Sequence, residues 1–258
     1  MDYGLCHLSI VPIRAEASDK AEMVNQLLFG ETFKVLLKEN NWVKIQLDWD
    51  KYEGWIDAKQ FLPLNANQHK KFKDSSLSYC FELCSTAIGN EHYLPLCLGA
   101  SLPFFDGLHF KLLKEKYLFN GKNILPASTQ INAKIIEKCA RKYLNAPYLW
   151  GGKSPFGIDC SGFTQMVCKM LGKKIKRDAY QQIQSGENVD FILAAKTGDL
   201  AFFGNSDNKI THVGIIIDNS RIIHAHGKVR MDKIDAYGIY DADRKKYSHQ
   251  LKLIKRIF

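Results

Sequence analysis

Residues 147–162, PYLWGGKSPFGIDCSG, run straight into a segment in which Phe163, Met166, Val167, Met170 and Leu171 recur at helical spacing. Proline and repeated glycine neither continue a helix nor hold a strand, so the first stretch is a tight loop and the second an amphipathic helix. Cys160 falls where loop becomes helix. At such a position unpaired backbone N–H groups and the positive end of the helix dipole favour a thiolate, lowering a cysteine pKa from about 8.5 towards neutrality. Asp159, Ser161 and Gly162 are polar or small, so the sulfur does not lie in the apolar run expected around an inert buried thiol. The surroundings are those of a nucleophile.

A thiol nucleophile needs a base, which can lie far along the chain. Thr211-His212-Val213-Gly214-Ile215 opens one apolar strand, and Arg221-Ile222-Ile223-His224-Ala225 forms the next after an Asp218-Asn219-Ser220 turn. Neighbouring strands of this kind can present His212 and His224 side by side. His226 shares a face with His224 two residues away and is a second candidate for the same role, and a His-x-His metal pair is a third reading.

Five segments together resemble the bacterial cell-wall cysteine peptidases of the NlpC type, which are papain-like in architecture. They are Tyr148-Leu149-Trp150-Gly151-Gly152, Asp159-Cys160-Ser161-Gly162-Phe163, Gly198-Asp199-Leu200, Thr211-His212-Val213-Gly214-Ile215 and Ile223-His224-Ala225, in the family's order. The resemblance implies Cys160 as nucleophile, His212 as general base and His224 as the polar residue that orients the His212 ring. It also implies that Tyr148 stands beside the oxyanion, together with the backbone N–H of Cys160. Position favours His224 over His226, since it matches the Ile-His-Ala pattern. Asp199 reads as a turn residue before a buried strand.

Ahead of this region, residues 1–64 read as short alternating strands broken by Gly30, Asn40-Asn41 and Asp48-Trp49-Asp50, the pattern of a small barrel. Val11-Pro12-Ile13-Arg14, Trp42-Val43-Lys44-Ile45 and Gly54-Trp55-Ile56 resemble bacterial SH3-like domains. Residues 65–126 carry a fainter echo, with Gly99 falling on Gly30, and are read as a second, diverged SH3-like barrel. The fold class is therefore α+β: two small all-β SH3-like barrels (1–64 and 65–126), then a papain-like peptidase domain (127–258) with a cysteine-bearing helix on an antiparallel sheet. In that last domain Ser128 or Thr129 is expected to cap a first helix, and four strands are expected at 199–204, 212–217, 221–225 and 250–258.

Paired SH3-like barrels before such a domain resemble the γ-D-glutamyl-L-diamino acid endopeptidases that trim murein peptides. That resemblance implies the substrate L-Ala-γ-D-Glu-diamino acid with a free N-terminal amine, bound by Asp159 and Ser161 beside the nucleophile and by Glu22 and Tyr52 from the first barrel. An N-acetylmuramoyl-L-alanine amidase of the same fold and a non-enzymatic murein-peptide-binding protein are the alternative readings.

Charge bears on the same question. Residues 1–125 carry 14 Lys+Arg against 15 Asp+Glu, and residues 126–258 carry 22 against 12. A basic C-terminal half suits an anionic substrate. Nucleic acid is not expected as a partner, because the lysines are scattered and no nucleic-acid module accompanies them. Cys80-x-x-x-Cys84 lacks the further ligands of a zinc site, so neither metal nor cofactor is expected. The 7 cysteines are irregularly spaced and odd in number, which argues against a disulfide framework. No apolar run approaches membrane-spanning length, so no membrane partner is expected. With Met1 as the natural start the protein is expected in the cytoplasm, otherwise in the periplasm; a monomer is expected.

Overall fold

The computed structural model describes residues 2–204, 207 and 209–258. The chain forms two compact units, Met1–Thr129 and Gln130–Phe258.

In the first unit a seven-stranded antiparallel sheet runs in the order Met23–Leu28, Ile10–Arg14, Glu53–Asp57, Trp42–Leu47, Thr32–Glu39, Asp2–Leu5, Leu62–Leu64. Alternation places Val11, Ile13, Phe33, Val43, Ile45, Leu47 and Ile56 on its inner face, where they form one apolar cluster. A helix, Ala66–Asp74, follows; Asn65 and Gln68 close its first turn by a reciprocal capping box. Beyond it lies a four-stranded sheet of Tyr93–Cys97, Cys84–Ile88, Glu115–Leu118 and His109–Leu112. Leu5, Phe29 and Leu64 from the first barrel pack with Leu94, Leu96 and Phe110 from the second segment, so the two parts share a core. Gly30 and Gly99 occupy equivalent turns: both take left-handed φ, 78° and 84°, and their N–H groups donate 2.9 Å bonds to the carbonyls of Cys6 and Cys80 respectively.

The second unit is built around the helix Cys160–Met170, every residue of which is buried. Such a helix is enclosed on all sides. It packs against the helix Ala133–Arg141 and against the strands Ile210–Asp218 and Arg221–His226. The sheet runs Glu187–Val189, Lys246–Arg256, Leu200–Gly204, Ile210–Asp218, Arg221–His226, Lys228–Ile234, Gly238–Asp241, and the last of these pairs back onto Lys246–Arg256, closing the sheet on itself. Glu187–Val189, Lys228–Ile234 and Gly238–Asp241 add to the four expected strands.

The expected cap of the first helix is corrected. Asn132, not Ser128 or Thr129, caps Ala133–Arg141, its side chain accepting from the Ile135 N–H at 3.1 Å. Pro126 starts a separate 3-10 turn, and the Thr129 hydroxyl is spent on the Leu125 carbonyl at 2.7 Å.

The loop before Cys160 touches its helix so closely that Gly162 has no room for a side chain: a Cβ there would run into the Gly152 carbonyl oxygen and lie 3.0 Å from Asp159 Oδ1. Gly162→Ala is therefore expected to lower stability by about 1–3 kcal/mol, read as a shift in the denaturant midpoint, and to displace Cys160. An unchanged midpoint would show that the contact yields freely.

Candidate active site

Cys160 is the first residue of its helix, and Asp159 is the N-cap. Asp159 Oδ1 accepts from the Gly162 N–H at 2.7 Å and Oδ2 from the Gly151 N–H at 2.8 Å. The wholly buried Arg177 grips the same carboxylate with two bonds, Nη1 to Oδ1 at 2.9 Å and Nη2 to Oδ2 at 2.6 Å. Ser161 belongs to this network: Arg177 Nη1 donates to its hydroxyl oxygen at 2.9 Å. Gln182 completes the anchor, donating from Nε2 to the Ser161 carbonyl at 3.0 Å and accepting from the Thr164 hydroxyl at 2.7 Å. Asp159 and Ser161 thus hold the start of the Cys160 helix. The Asp159 charge, expected from the sequence to meet a substrate amine, is paired with Arg177.

Cys160 is buried, 8% exposed. Burial, assisted by the nearby Asp159 charge, pushes the Cys160 thiol up to about 12, against hydrogen bonds from the backbone N–H groups of Val213 and Ser161 and the charge of Arg177. The helix terminus does supply donors to the sulfur, but desolvation outweighs them, so the resting group is a thiol. Tyr148 stands close enough to feel a charge on Cys160; burial first, then Cys160 and Asp159, raise its pKa and keep it a hydrogen-bond donor. Its backbone N–H donates to the Gly227 carbonyl at 3.0 Å, tying the loop to the hairpin that follows His226.

The histidines are placed by strand register. Gly214 lies opposite His224, and His212, two residues before Gly214, shares its face. The two rings meet edge to face with His212 Nε2 2.8 Å from His224 Nδ1. His224 Nε2 lies 2.9 Å from Asp232 Oδ2. Arg230 pairs with the same carboxylate, Nε to Oδ2 at 2.6 Å. Burial alone would raise the Asp232 pKa, but the hydrogen bonds from His224 and Arg230 hold it below the usual carboxylate range. An ionised carboxylate only accepts. His224 therefore carries its proton on Nε2, accepts at Nδ1 from His212 Nε2–H, and leaves His212 Nδ1 as the lone-pair nitrogen. Val213, the neighbour of His212, is one of the two residues whose N–H reaches the sulfur. Asp232 and Arg230 were not among the residues singled out in the sequence.

His226 ends its strand half-buried, 6.2 Å from the His224 ring centroid and parallel to it, outside this chain of bonds. The imidazole that packs on His212 is His249, centroid to centroid 4.1 Å. Burial lowers the pKa of His212 far below its ordinary value and that of His249 to about 4, and the other histidines add to both effects. Burial also lowers His224, against the pull of Asp232. All three are neutral at neutral pH.

Glu22 and Tyr52 lie in the first unit. Glu22 is exposed in the turn before Met23–Leu28, its carbonyl accepting from the Ala15 N–H at 2.9 Å. Tyr52 packs against the first barrel's core, and its carbonyl accepts from the Leu47 N–H at 2.9 Å.

Residues 145–247 match the NlpC/P60 family, and residues 13–61 match the bacterial dipeptidyl-peptidase Sh3 domain. The C-terminal unit belongs to the NlpC/P60 family of peptidases, and the chain joins it to an SH3 domain of that bacterial type. More particularly, 78% of the chain is 28% identical to 71% of the γ-D-glutamyl-L-lysine dipeptidyl-peptidase of Bacillus subtilis (strain 168). It is equally similar, 28% over 79% of the chain and 67% of the relative, to the enzyme of that name from Bacillus cereus. In fold, a crystal structure of an NlpC/P60 family protein from Bacillus cereus superposes with a TM-score of 0.83 at 20% identity, covering 98% of this chain and 99% of that one.

Two outcomes follow from the geometry. Asp232→Asn removes the group that fixes the His224 tautomer, and is expected to lower kcat by on the order of tenfold to a hundredfold with little change in KM; a wrong tautomer fixed directly on a base costs about 10^4. An unchanged kcat would place Asp232 outside the relay. The second outcome concerns pH. Because His212, His224 and His249 have folded pKa values below their unfolded value near 6.5, the unfolded state binds more protons just below that pH. Stability from these groups is full above pH 6.5 and is lost as pH falls from there, for His249 down to about 4. Denaturant midpoints measured across that window should decline, and less steeply in His249→Phe.

Proposed function

We propose that the chain is a cysteine endopeptidase that hydrolyses the bond between γ-D-Glu and the diamino acid of murein peptides bearing a free N-terminal L-Ala. The observation that carries this reading is the bonded series Asp232, His224, His212, which leaves one nitrogen of His212 to receive a proton beside the strand that meets the Cys160 sulfur.

His212 Nδ1 takes the proton of the Cys160 thiol as Sγ bonds to the γ-carbonyl carbon of D-Glu. The carbonyl oxygen becomes an oxyanion, received by the Cys160 N–H and the Tyr148 hydroxyl. His212 then returns the proton to the departing amine of the diamino acid, leaving a thioester on Cys160. Water, giving its proton to the same nitrogen, adds to the thioester, and the thiol leaves reprotonated. Asp232 keeps the His224 proton on Nε2 throughout.

The substrate part rests on the relatives named γ-D-glutamyl-L-lysine dipeptidyl-peptidase and on the dipeptidyl-peptidase type of the SH3 domain. Glu22 and Tyr52 are the residues of that domain proposed to recognise the substrate's amine. Short soluble murein peptides, as they arise in cell-wall recycling in the cytoplasm, are the proposed pool.

Cys160→Ala should abolish hydrolysis and keep the fold, and His212→Ala should cost several orders of magnitude in rate, His224→Ala less. Acetylating the N-terminus of L-Ala-γ-D-Glu-diamino acid should lower kcat/KM by roughly ten- to a hundredfold, the worth of about 1.5–3 kcal/mol for a charge-assisted hydrogen bond, with Glu22→Gln narrowing that gap. Mass spectrometry of the products decides: release of L-Ala-γ-D-Glu supports the reading, while equal cleavage of both peptides, or release of peptide from glycan as by an amidase, overturns it.

A further inference from the structure

His212, His224 and His249 each offer one ring nitrogen, and these atoms all lie within 4.8 Å of one another. For His224 a hydrogen bond decides where the lone pair is. His224 Nε2–H is committed to Asp232 at 2.9 Å, so Nδ1 carries the lone pair. The Ser248 hydroxyl donates to the Ile239 carbonyl at 3.3 Å and lies 2.8 Å from His249 Nδ1. In the tautomer that a metal at Nε2 requires, the hydroxyl oxygen accepts Nδ1–H and gives its own proton to that carbonyl. His212 Nε2 stands 2.8 Å from His224 Nδ1. Three imidazoles, two of them held from behind, His224 by a carboxylate and His249 by a hydroxyl, are the makings of a zinc site with three protein ligands and an open fourth position.

We propose that His212, His224 and His249 bind Zn²⁺ as a reversible inhibitor, with water in the fourth position. Zn–N bonds of about 2.0–2.1 Å set tetrahedral N···N separations near 3.4 Å. The 2.8 Å pair opens by roughly half an ångström, and the widest pair closes by no more than about 1.4 Å. His249, half-buried, is the most exposed of the three rings. The ion takes Nε2 of His212, and the single proton of that neutral ring relocates through solvent to Nδ1. Nδ1–H cannot accept the Cys160 proton. No covalent bond to substrate forms and no electron moves; the enzyme is silenced by a tautomer and recovers when the ion leaves. The effect on rate rests on the proposed roles of Cys160 and His212, whereas the binding does not.

The test separates the two. Calorimetric titration of ZnCl2 into the Cys160→Ala protein, in a non-chelating buffer, is expected to show one tight site, weakened by about tenfold or more when His249→Phe is added. Phenylalanine keeps a ring against His212 and Phe203, so the loss reports the missing nitrogen. In the otherwise unaltered enzyme, Zn²⁺ should inhibit, EDTA should restore the rate, and His249→Phe should raise the half-inhibitory concentration by a similar factor. Equal binding by the single and double variants overturns the proposal. So does inhibition of the enzyme by Zn²⁺ with no binding to Cys160→Ala, which puts the ion on the sulfur. A protein that binds Zn²⁺ through His249 but cleaves no murein peptide would remove the peptidase reading and leave the metal site standing.

Discussion

The ion pair between Arg177 and Asp159, with side chains 1% and 8% exposed, is the interaction on which the C-terminal unit's chemistry depends. One carboxylate caps the Cys160 helix, fixes the glycine loop at Gly151 and accepts both arms of the guanidinium. Removing one partner of such a pair typically costs about 3–5 kcal/mol, because the other is left charged in a dry interior. The pair therefore defines where loop, helix and the turn after Arg177 meet, and so where the sulfur lies.

A second constraint runs through the histidines. Buried imidazoles are stable here only when neutral, and a neutral imidazole has one proton for two nitrogens. A single ionised carboxylate, Asp232, is enough to set the order along His224 and His212. Gly214 makes the meeting of the rings possible: a Cβ there would stand 2.9 Å from that of His224 and 2.8 Å from Ile222 Cδ1. Its lack of a side chain is thus as much a part of the site as the rings beside it.

Much of this was legible in the sequence, and the gaps have physical causes. Cys160 was visible because loop and helix abut there, and His212 and His224 because each sits in an apolar strand that has little other use for an imidazole. Lys228–Ile234 was not, because its alternating Lys228, Arg230 and Asp232 look like a solvated face. Register places Arg230 opposite His224, with Asp232 two residues further along the same face. Charges that look like surface in one dimension become a buried partner in three. His249 was missed for a related reason: it comes 25 residues after His224, on a strand that lies beside Leu200–Gly204, one strand away from His212. The helix terminus, too, promised a thiolate, and only the structure shows how thoroughly the sulfur is removed from water.

The complete enclosure of Cys160–Met170 has a kinetic meaning. Amide groups in a segment with no solvent face exchange their hydrogens mainly when the whole unit opens, since partial openings leave such a segment covered. Cys160 therefore sits in a segment that opens with its own unit, unlike the mobile loops on which reactive groups are often carried. Exposing the sulfur to alkylation or oxidation by local fraying is correspondingly rare, and the reactive group survives as long as the fold does.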